Sequence, residues 1–191
     1  MIGLAEEKTA LRREISARRK AAHEARDRRD PAANARLLAL IGDAAGRVVA
    51  GYRPIRSEID PTAAMTALHE AGARVAAPVI AETATPLRFR EWTPCAAMTE
   101  GPFGAMIPES GDWLEPEILV VPLLGWDRAG GRLGYGGGFY DRTLAALRAG
   151  KGARAIGFAY AAQEIAAAPA GPFDQRLDAV VTENEVVRIT I

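Results

Sequence analysis

Four glycines fall within five positions in the segment Arg132-Leu133-Gly134-Tyr135-Gly136-Gly137-Gly138-Phe139-Tyr140-Asp141-Arg142. The aliphatic stretch Ile118 to Leu124 precedes this segment, and the helix-forming run Thr143-Leu144-Ala145-Ala146-Leu147-Arg148 follows it. A backbone with so few Cβ atoms can approach a bulky anion closely and turn its N–H groups inward. A helix N-terminus behind such a loop adds favourable potential for phosphate. Arg132 and Arg142 flank the glycines, and Asp141 stands where a metal could be held, so the segment reads as a polyphosphate cradle. It matches none of the commoner templates. The dinucleotide fingerprint G-x-G-x-x-G, started at Gly134, needs glycine at 139 and meets Phe139. The same mismatch removes the protein-kinase loop, and no Gly-Lys-Ser/Thr follows to make a Walker A loop.

The cradle sits within alternating strand and helix signals. Residues 4 to 29 read as a long, charged, amphipathic helix ended by Pro31, and residues 32 to 45 as a second helix ending at Gly46. Arg47 to Tyr52 reads as a strand; Asp60 caps a helix that starts at Pro61 and closes at Gly72. Arg74 to Val79 and Leu87 to Trp92 follow as strands, then a Gly/Pro-rich loop from Thr99 to Ser110. Ile118 to Val121 is aliphatic throughout, as a strand buried on both faces must be. A helix over 140 to 149 and strands at Ala155 to Tyr160, Ala179 to Thr182 and Val186 to Ile191 complete the pattern. The expected fold is an open, mostly parallel α/β sheet with helices on both faces, three-layered and Rossmann-like. Its 191 residues are expected to form a single α/β domain, residues 1–191, with the helix at 4–29 packed on it. Such sheets bind ligands at the carboxyl ends of their strands, where the glycine loop begins.

Charge narrows the partners. Twenty-four basic residues balance 24 acidic ones, so there is no global footprint for nucleic acid and anion recognition must be local. Residues 1 to 30 carry nine Lys/Arg against six Asp/Glu, too mixed for a track along a phosphate backbone. Cys95 is the only cysteine, which excludes an internal disulfide and a thiolate metal site. The N-terminus lacks an apolar signal core, and the longest apolar run is about half of the roughly 20 residues that span a bilayer. The expectation is a cytoplasmic monomer that binds neither nucleic acid nor membrane.

At about 100° per residue, Leu4, Leu11, Ile15 and Ala22 form one narrow apolar stripe on the first helix. Lys8, Arg12, Arg19 and Arg26 line one edge of it, while Glu6, Glu7, Glu14, Glu24 and Asp27 point elsewhere. Laid on the body by its stripe, the helix aims Lys8, Arg12 and Arg19 along the junction. Basic side chains flanking an apolar stripe often only cover it with their stems. Beside a polyphosphate loop, however, this edge becomes a candidate second clamp on the same nucleotide, with bidentate arginines and a lysine point charge. Glu58, in the loop before the Asp60-capped helix, could accept paired N–H donors from a heterocycle such as a pterin, or simply be a solvated acid. Asp141 with Asp174 or Asp178 could hold Mg²⁺, which favours one or two carboxylates plus phosphate oxygens and water; for Asp178 a pairing with a nearby arginine is preferred. His23 and His69 read as surface residues, and Trp92, Trp113 and Trp126 as core or pocket lining.

With its surroundings the loop resembles the 5-formyltetrahydrofolate cyclo-ligase family, also called 5,10-methenyltetrahydrofolate synthetase. The resemblance is carried by Lys8-x-x-Leu11-Arg12, Ser57-Glu58-Ile59-Asp60, Ile107-Pro108-Glu109, Val121-Pro122-Leu123, the glycine segment, Gln163, Asp174-x-x-x-Asp178 and Thr182-Glu183. It implies ATP-dependent ring closure of 5-formyltetrahydrofolate to 5,10-methenyltetrahydrofolate with Mg²⁺, releasing ADP and phosphate. By position, Lys8 to Arg12 and Arg132, Gly134, Tyr135, Gly136, Gly137, Gly138, Phe139 and Tyr140 would hold ATP. Arg53 and Glu58 would meet the reduced formyl folate, Asp141 and Asp174 the metal, and Arg132, Tyr140 and Asp141 the reacting groups. Some relatives carry tyrosine where Phe139 stands, so no hydroxyl chemistry falls there. The chemistry suits the residues: phosphorylating the formyl oxygen makes it a leaving group for attack by N10, which asks the protein mainly for positioning and charge stabilisation. A non-catalytic nucleotide or folate sensor on the same fold, and a phosphosugar isomerase-like enzyme needing no ATP, are the competing expectations.

Overall fold

The computed structural model describes residues 4–26, 30–150 and 152–190, with the side chains of residues 4, 5 and 7 left aside. Helices are α1 (Leu4–Glu24), α2 (Pro31–Ile41), α3 (Thr62–Glu70) and α4 (Phe139–Gly150). Strands are β1 (Val48–Ala50), β2 (Arg74–Val79), β3 (Arg88–Glu91), β4 (Met98–Glu100), β5 (Met106–Pro108), β6 (Trp113–Leu114), β7 (Ile118–Pro122), β8 (Gly125–Trp126), β9 (Arg132–Leu133), β10 (Arg154–Phe158), β11 (Ala179–Val181) and β12 (Val186–Arg188).

Eight strands make the main sheet in the order β12-β11-β10-β7-β1-β2-β3-β6. The five central strands run parallel; β12 and β3 pair antiparallel with the two ends of this block, and β6 pairs antiparallel with β3 at the edge. Period-2 alternation sends successive residues to opposite faces. Ile118 and Val120 of β7 join α2 and α3 in one core with Leu37, Met65 and Leu68. Leu119 and Val121 join Leu144 and Leu147 of α4 in the other. This is the expected three-layer, mostly parallel α/β architecture. From β1 the chain winds outward to β2, while β7, β10 and β11 extend the sheet the other way, so the order reverses between β1 and β7. The carboxyl ends at such a reversal leave a crevice between diverging connections.

Several boundaries differ from the sequence expectation. Helix α1 stops at Glu24, short of 29; residues 27–29, like the side chains of Leu4, Glu7 and Asp27, lie outside what is described. Helix α2 ends at Ile41 rather than 45, because Gly42 adopts φ 73° and its N–H caps Leu38. Asp60 does accept from the Thr62 N–H at 2.8 Å, but the helix begins one residue later than expected. The segment 99–110 is not an irregular loop: β4 and β5 pair as a hairpin around Pro102–Gly104. The two-residue strands β6, β8 and β9 carry no pattern that a sequence window can register. No described helix is long and apolar enough to cross a membrane.

Three motif residues prove to be architectural. Gln163, fully buried, donates to the Leu123 and Leu124 carbonyls (2.8 and 2.9 Å) and accepts from the Tyr160 N–H. It pins the end of β7 to the turn after β10. Glu183 accepts from Ala161 N–H at 2.9 Å, and Asp178 pairs with Arg148 at 2.7 Å and the Ala155 N–H, the arginine pairing preferred from sequence. Of the tryptophans, Trp92 and Trp126 are core, whereas Trp113 is 42% exposed on the sheet's edge strand, stacked by Arg88 and Arg90.

Candidate functional site

A cavity of about 610 Å³ opens at the reversal point. Its floor is the ends of the central strands: Tyr52 after β1, Pro78 of β2 with Ile80 just past it, and Pro122 closing β7. One wall is the whole segment from Arg132 to Asp141, faced by Lys8 and Arg12 of α1. Across from it stand Arg53, Ile55, Arg56 and Glu58, and Pro102, Phe103, Ala105 and Ile107 of the β4–β5 hairpin form an apolar rim.

The glycine wall depends on backbone conformations that other residues resist. Gly136 and Gly138 have φ of 100° and 64°, the left-handed region that costs an L-residue about 1–2 kcal/mol. A Cβ on Gly138 would lie 2.8 Å from a nitrogen of Arg142. Arg142 donates to the Gly137 carbonyl at 2.7 Å and so holds the loop from behind. Helix α4 starts at Phe139, directly after the glycines, and points its N-terminal N–H groups and positive dipole end toward the loop. Arg12 Nε donates to the Gly134 carbonyl at 2.9 Å. Residues remote in sequence thus meet on one surface.

Two cations on this wall, Lys8 and Arg132, have carboxylate partners. Lys8 Nζ lies 2.7 Å from Asp174 Oδ2, with both side chains partly exposed, at 19% and 31%. Burial works against the Asp174 anion, but Lys8 and the Gly171 N–H outweigh it and hold the carboxyl below its usual value. Arg132 reaches Asp141 Oδ1 at 2.5 Å and the Gln175 carbonyl at 3.3 Å. Burial pulls the Arg132 guanidinium below its ordinary value, while Asp141 and Asp174 pull it back up; it stays cationic. The Gln175 N–H also bonds Asp141 Oδ1 at 2.9 Å. Asp141 therefore engages protein through Oδ1 and Asp174 through Oδ2. Among the described residues each carboxylate has its second oxygen without a hydrogen-bond partner. No cluster of three or more metal-type side chains occurs among the described residues.

The opposite wall is built differently. Glu58 is buried, accepting from the Ile55 N–H at 2.9 Å through Oε2 and from the Tyr135 hydroxyl at 2.7 Å through Oε1. Burial raises the Glu58 carboxyl above its usual value, against the lowering pull of the Ile55 N–H, Tyr135, Arg19 and Arg56. It is no solvated loop acid. Burial also pushes the Tyr52, Tyr135 and Tyr140 hydroxyls up, so all three remain protonated donors at neutral pH. Arg53 donates to Thr62 Oγ1 at 2.7 Å, and its Nε is buried with no partner among the described residues.

Sequence reasoning placed Lys8, Arg12, Arg132 through Asp141, Arg53, Glu58 and Asp174 here, and all line this one cavity. Arg19 is the correction. It does not face the glycine wall's ligand space but lies fully buried, bonded to Ser57 Oγ at 3.0 Å and to the Tyr135 hydroxyl. The stripe gives its direction around the helix axis but not its depth. Ile15 is completely buried beside it, so Arg19 sinks with the stripe. His23 is not merely superficial either: its Nδ1 lies 3.0 Å from the Tyr160 hydroxyl. The floor residues Tyr52, Pro78 and Ile80 and the rim residues Pro102, Phe103 and Ala105 were missed, while Pro122 and Ile107 entered only as parts of motifs without a stated role. The strand-end rule applied to every strand would have found the floor; at the rim only the Ile107-Pro108-Glu109 motif gave a signal.

The comparisons agree with this geometry. The sequence profile of the 5-formyltetrahydrofolate cyclo-ligase family matches residues 4–183. The 5-formyltetrahydrofolate cyclo-ligase of Mycolicibacterium smegmatis is 39% identical over 109 residues, covering 52% of this chain and 55% of that one. The match thus spans about half the length of that relative. The enzyme of that name from Haemophilus influenzae is 32% identical over 143 residues, 72% of this chain and 76% of that one. The fold is similar to the 5,10-methenyltetrahydrofolate synthetase of Aquifex aeolicus, with TM-score 0.77, 28% identity and coverage of 96% and 93% of the two chains. It is also similar to that of Mycoplasma pneumoniae, with TM-score 0.69, 25% identity and coverage of 92% and 98%.

Proposed function

Because this chain belongs to the 5-formyltetrahydrofolate cyclo-ligase family, we propose that it closes 5-formyltetrahydrofolate to 5,10-methenyltetrahydrofolate at the expense of ATP. The observation that carries this reading is the convergence of Lys8, Arg12 and the glycine loop on a cavity whose far wall holds a buried carboxylate, Glu58. One wall suits a polyphosphate and the other a heterocycle with N–H donors.

The formyl oxygen attacks the terminal phosphorus and ADP leaves. N10 then adds to the activated carbon, gives up its proton, and the phosphate departs with the former formyl oxygen. Loop N–H groups, Lys8, Arg12 and Arg132 stabilise charge on the transferring group. Arg132, oriented by Asp141, is the cation assigned to the reacting phosphate. Tyr140, its hydroxyl kept protonated by burial, lines the cavity with Glu58 and Arg132 and steadies the oxygen being transferred. Glu58 accepts from the pterin ring and Arg53 meets the folate beyond it. The carboxylates fit Mg²⁺: Asp141 and Asp174 line the cavity together, each with one oxygen uncommitted to protein. Two carboxylates completed by phosphate oxygens and water is the shell this ion prefers, and bound there it would neutralise charge on the phosphates. The enzyme is read as a cytoplasmic monomer whose partners are these small molecules, without nucleic acid or membrane.

Mixing the protein with ATP, Mg²⁺ and 5-formyltetrahydrofolate, then omitting each in turn, tests the reading. The expected result is near-ultraviolet methenyl absorbance and ADP appearing in equal amounts, only in the complete mixture. Saturable binding of ATP or folate with no product would mark a non-catalytic sensor instead.

A further inference from the structure

Arg19 lies fully buried where three separate segments meet, although it lines no part of the cavity. Its Nε donates to Ser57 Oγ at 3.0 Å, one Nη donates to the Tyr135 hydroxyl, and the same Nη sits 3.9 Å from Glu58 Oε1. Ser57 and Glu58 belong to the loop after β1, Tyr135 to the glycine loop, and Arg19 to α1. Along one helix edge, Lys8 and Arg12 serve the phosphate wall while Arg19, two turns on, serves the folate wall. A guanidinium this deep is costly unless its donors are matched. Here the match is made by the residues that shape the acceptor.

We propose that Arg19 is a positioning residue for the folate half of the site, fixing Glu58 and Tyr135 in one arrangement and so tying α1 to substrate recognition. The inference rests on the reading of Glu58 as the folate's acceptor. Tyr135 gives its only proton to Glu58 Oε1 while its oxygen takes the bond from Arg19, so the hydroxyl has a single orientation. Around Glu58 stand Arg19 from α1, Tyr135 from the glycine loop, Tyr140 from α4, Tyr52 after β1 and Arg56 from its own loop. Arg56 is exposed with φ 55°, so Arg19 is the one cation among these that is buried with Glu58. Without it the carboxylate takes up a proton at higher pH and becomes a donor where the ligand needs an acceptor.

The test compares Arg19→Met, Arg19→Lys and Tyr135→Phe with the wild type by calorimetric titration of 5-formyltetrahydrofolate and of ATP across pH. In Arg19→Met the folate dissociation constant should rise about tenfold or more, the scale of a lost bond to a charged group. ATP affinity should stay within about threefold, and the acid limit of folate binding should move to higher pH. Arg19→Lys should recover part of both changes, and Tyr135→Phe should move them the same way by less. A folded Arg19→Met with unchanged folate affinity and acid limit overturns the proposal, as does an equal weakening of ATP. Should Arg19→Met fail to fold, an unmoved acid limit in Tyr135→Phe overturns it alone. Wild-type protein that binds folate yet forms no methenyl product would defeat the reaction reading while leaving this comparison decisive; wild type that binds no folate defeats both.

Discussion

The two walls of the cavity solve the problem of charge in opposite ways. On the glycine wall Lys8 and Asp174 are paired but partly open to water, while the more exposed Asp141 carboxylate holds a nearly buried Arg132. The partly open Lys8–Asp174 pair gains about 1 kcal/mol or less, so an arriving polyphosphate and cation can take over its partners at little cost. On the folate wall Arg19 and Glu58 have side chains only 2% and 4% exposed. Removing one partner of a buried pair costs about 3–5 kcal/mol. The contrast assigns exchangeable charges to the substrate whose charge is redistributed in the reaction, and a fixed acceptor to the substrate that must be recognised.

Breaking the glycine wall should have the largest effect on rate. Arg132→Ala or Asp141→Ala is expected to lower kcat about 10²- to 10³-fold, as loss of one preorganised charge-stabilising group does, with an unchanged circular dichroism spectrum. Breaking the folate wall should act on affinity. Glu58→Gln is expected to cut kcat/KM for formyl folate roughly 10- to 100-fold, the value of one charged hydrogen bond, with a much smaller change in KM for ATP. Because the ionised acceptor is the active form and burial raises its pKa, wild-type kcat/KM should fall with acid at a pH above the ordinary glutamate value of about 4.3. That acid limb should vanish in Glu58→Gln.

A subtler perturbation is steric. Gly138→Ala would put a side chain at φ 64° and 2.8 Å from Arg142, costing about 1–2 kcal/mol of stability and raising KM for ATP more than KM for folate. The smallest effect belongs to the more open of the cavity's ion pairs, Lys8–Asp174. Asp174→Asn should cost less than about 1 kcal/mol in urea unfolding at neutral pH. Its carboxyl is depressed in the folded state, so that contribution is present above its unfolded pKa of about 3.9 and lost as pH falls through the folded value. The same variant should raise the Mg²⁺ concentration needed for half-maximal turnover.

Much of this was legible in the sequence because local chemistry and global fold agree. β2 spans Arg74–Val79, the bounds read from its residues, and the aliphatic run of β7 announces a strand covered on both faces. The glycine loop is legible because positive φ at Gly136 and Gly138 leaves few alternatives to glycine. What stayed hidden needs distance information. Arg19 and Arg12 share one helix edge, yet one is sunk against Glu58 and the other bonds the rim of the loop; only the depth of Ile15 beneath α1 separates them. The β4–β5 hairpin was concealed by Gly101, Pro102 and Gly104, which punctuate a turn as readily as they fill a loop. Gly42 stopped α2 early through a cap whose φ no hydrophobic pattern registers.

That an amino-terminal helix and a loop 122 residues away grip one triphosphate is tested most directly by calorimetric titration of ATP with Mg²⁺ into Arg12→Ala and the wild type. A dissociation constant raised about tenfold or more, with folate affinity unchanged, is the expected result. ATP binding as tight in Arg12→Ala as in the wild type would contradict it.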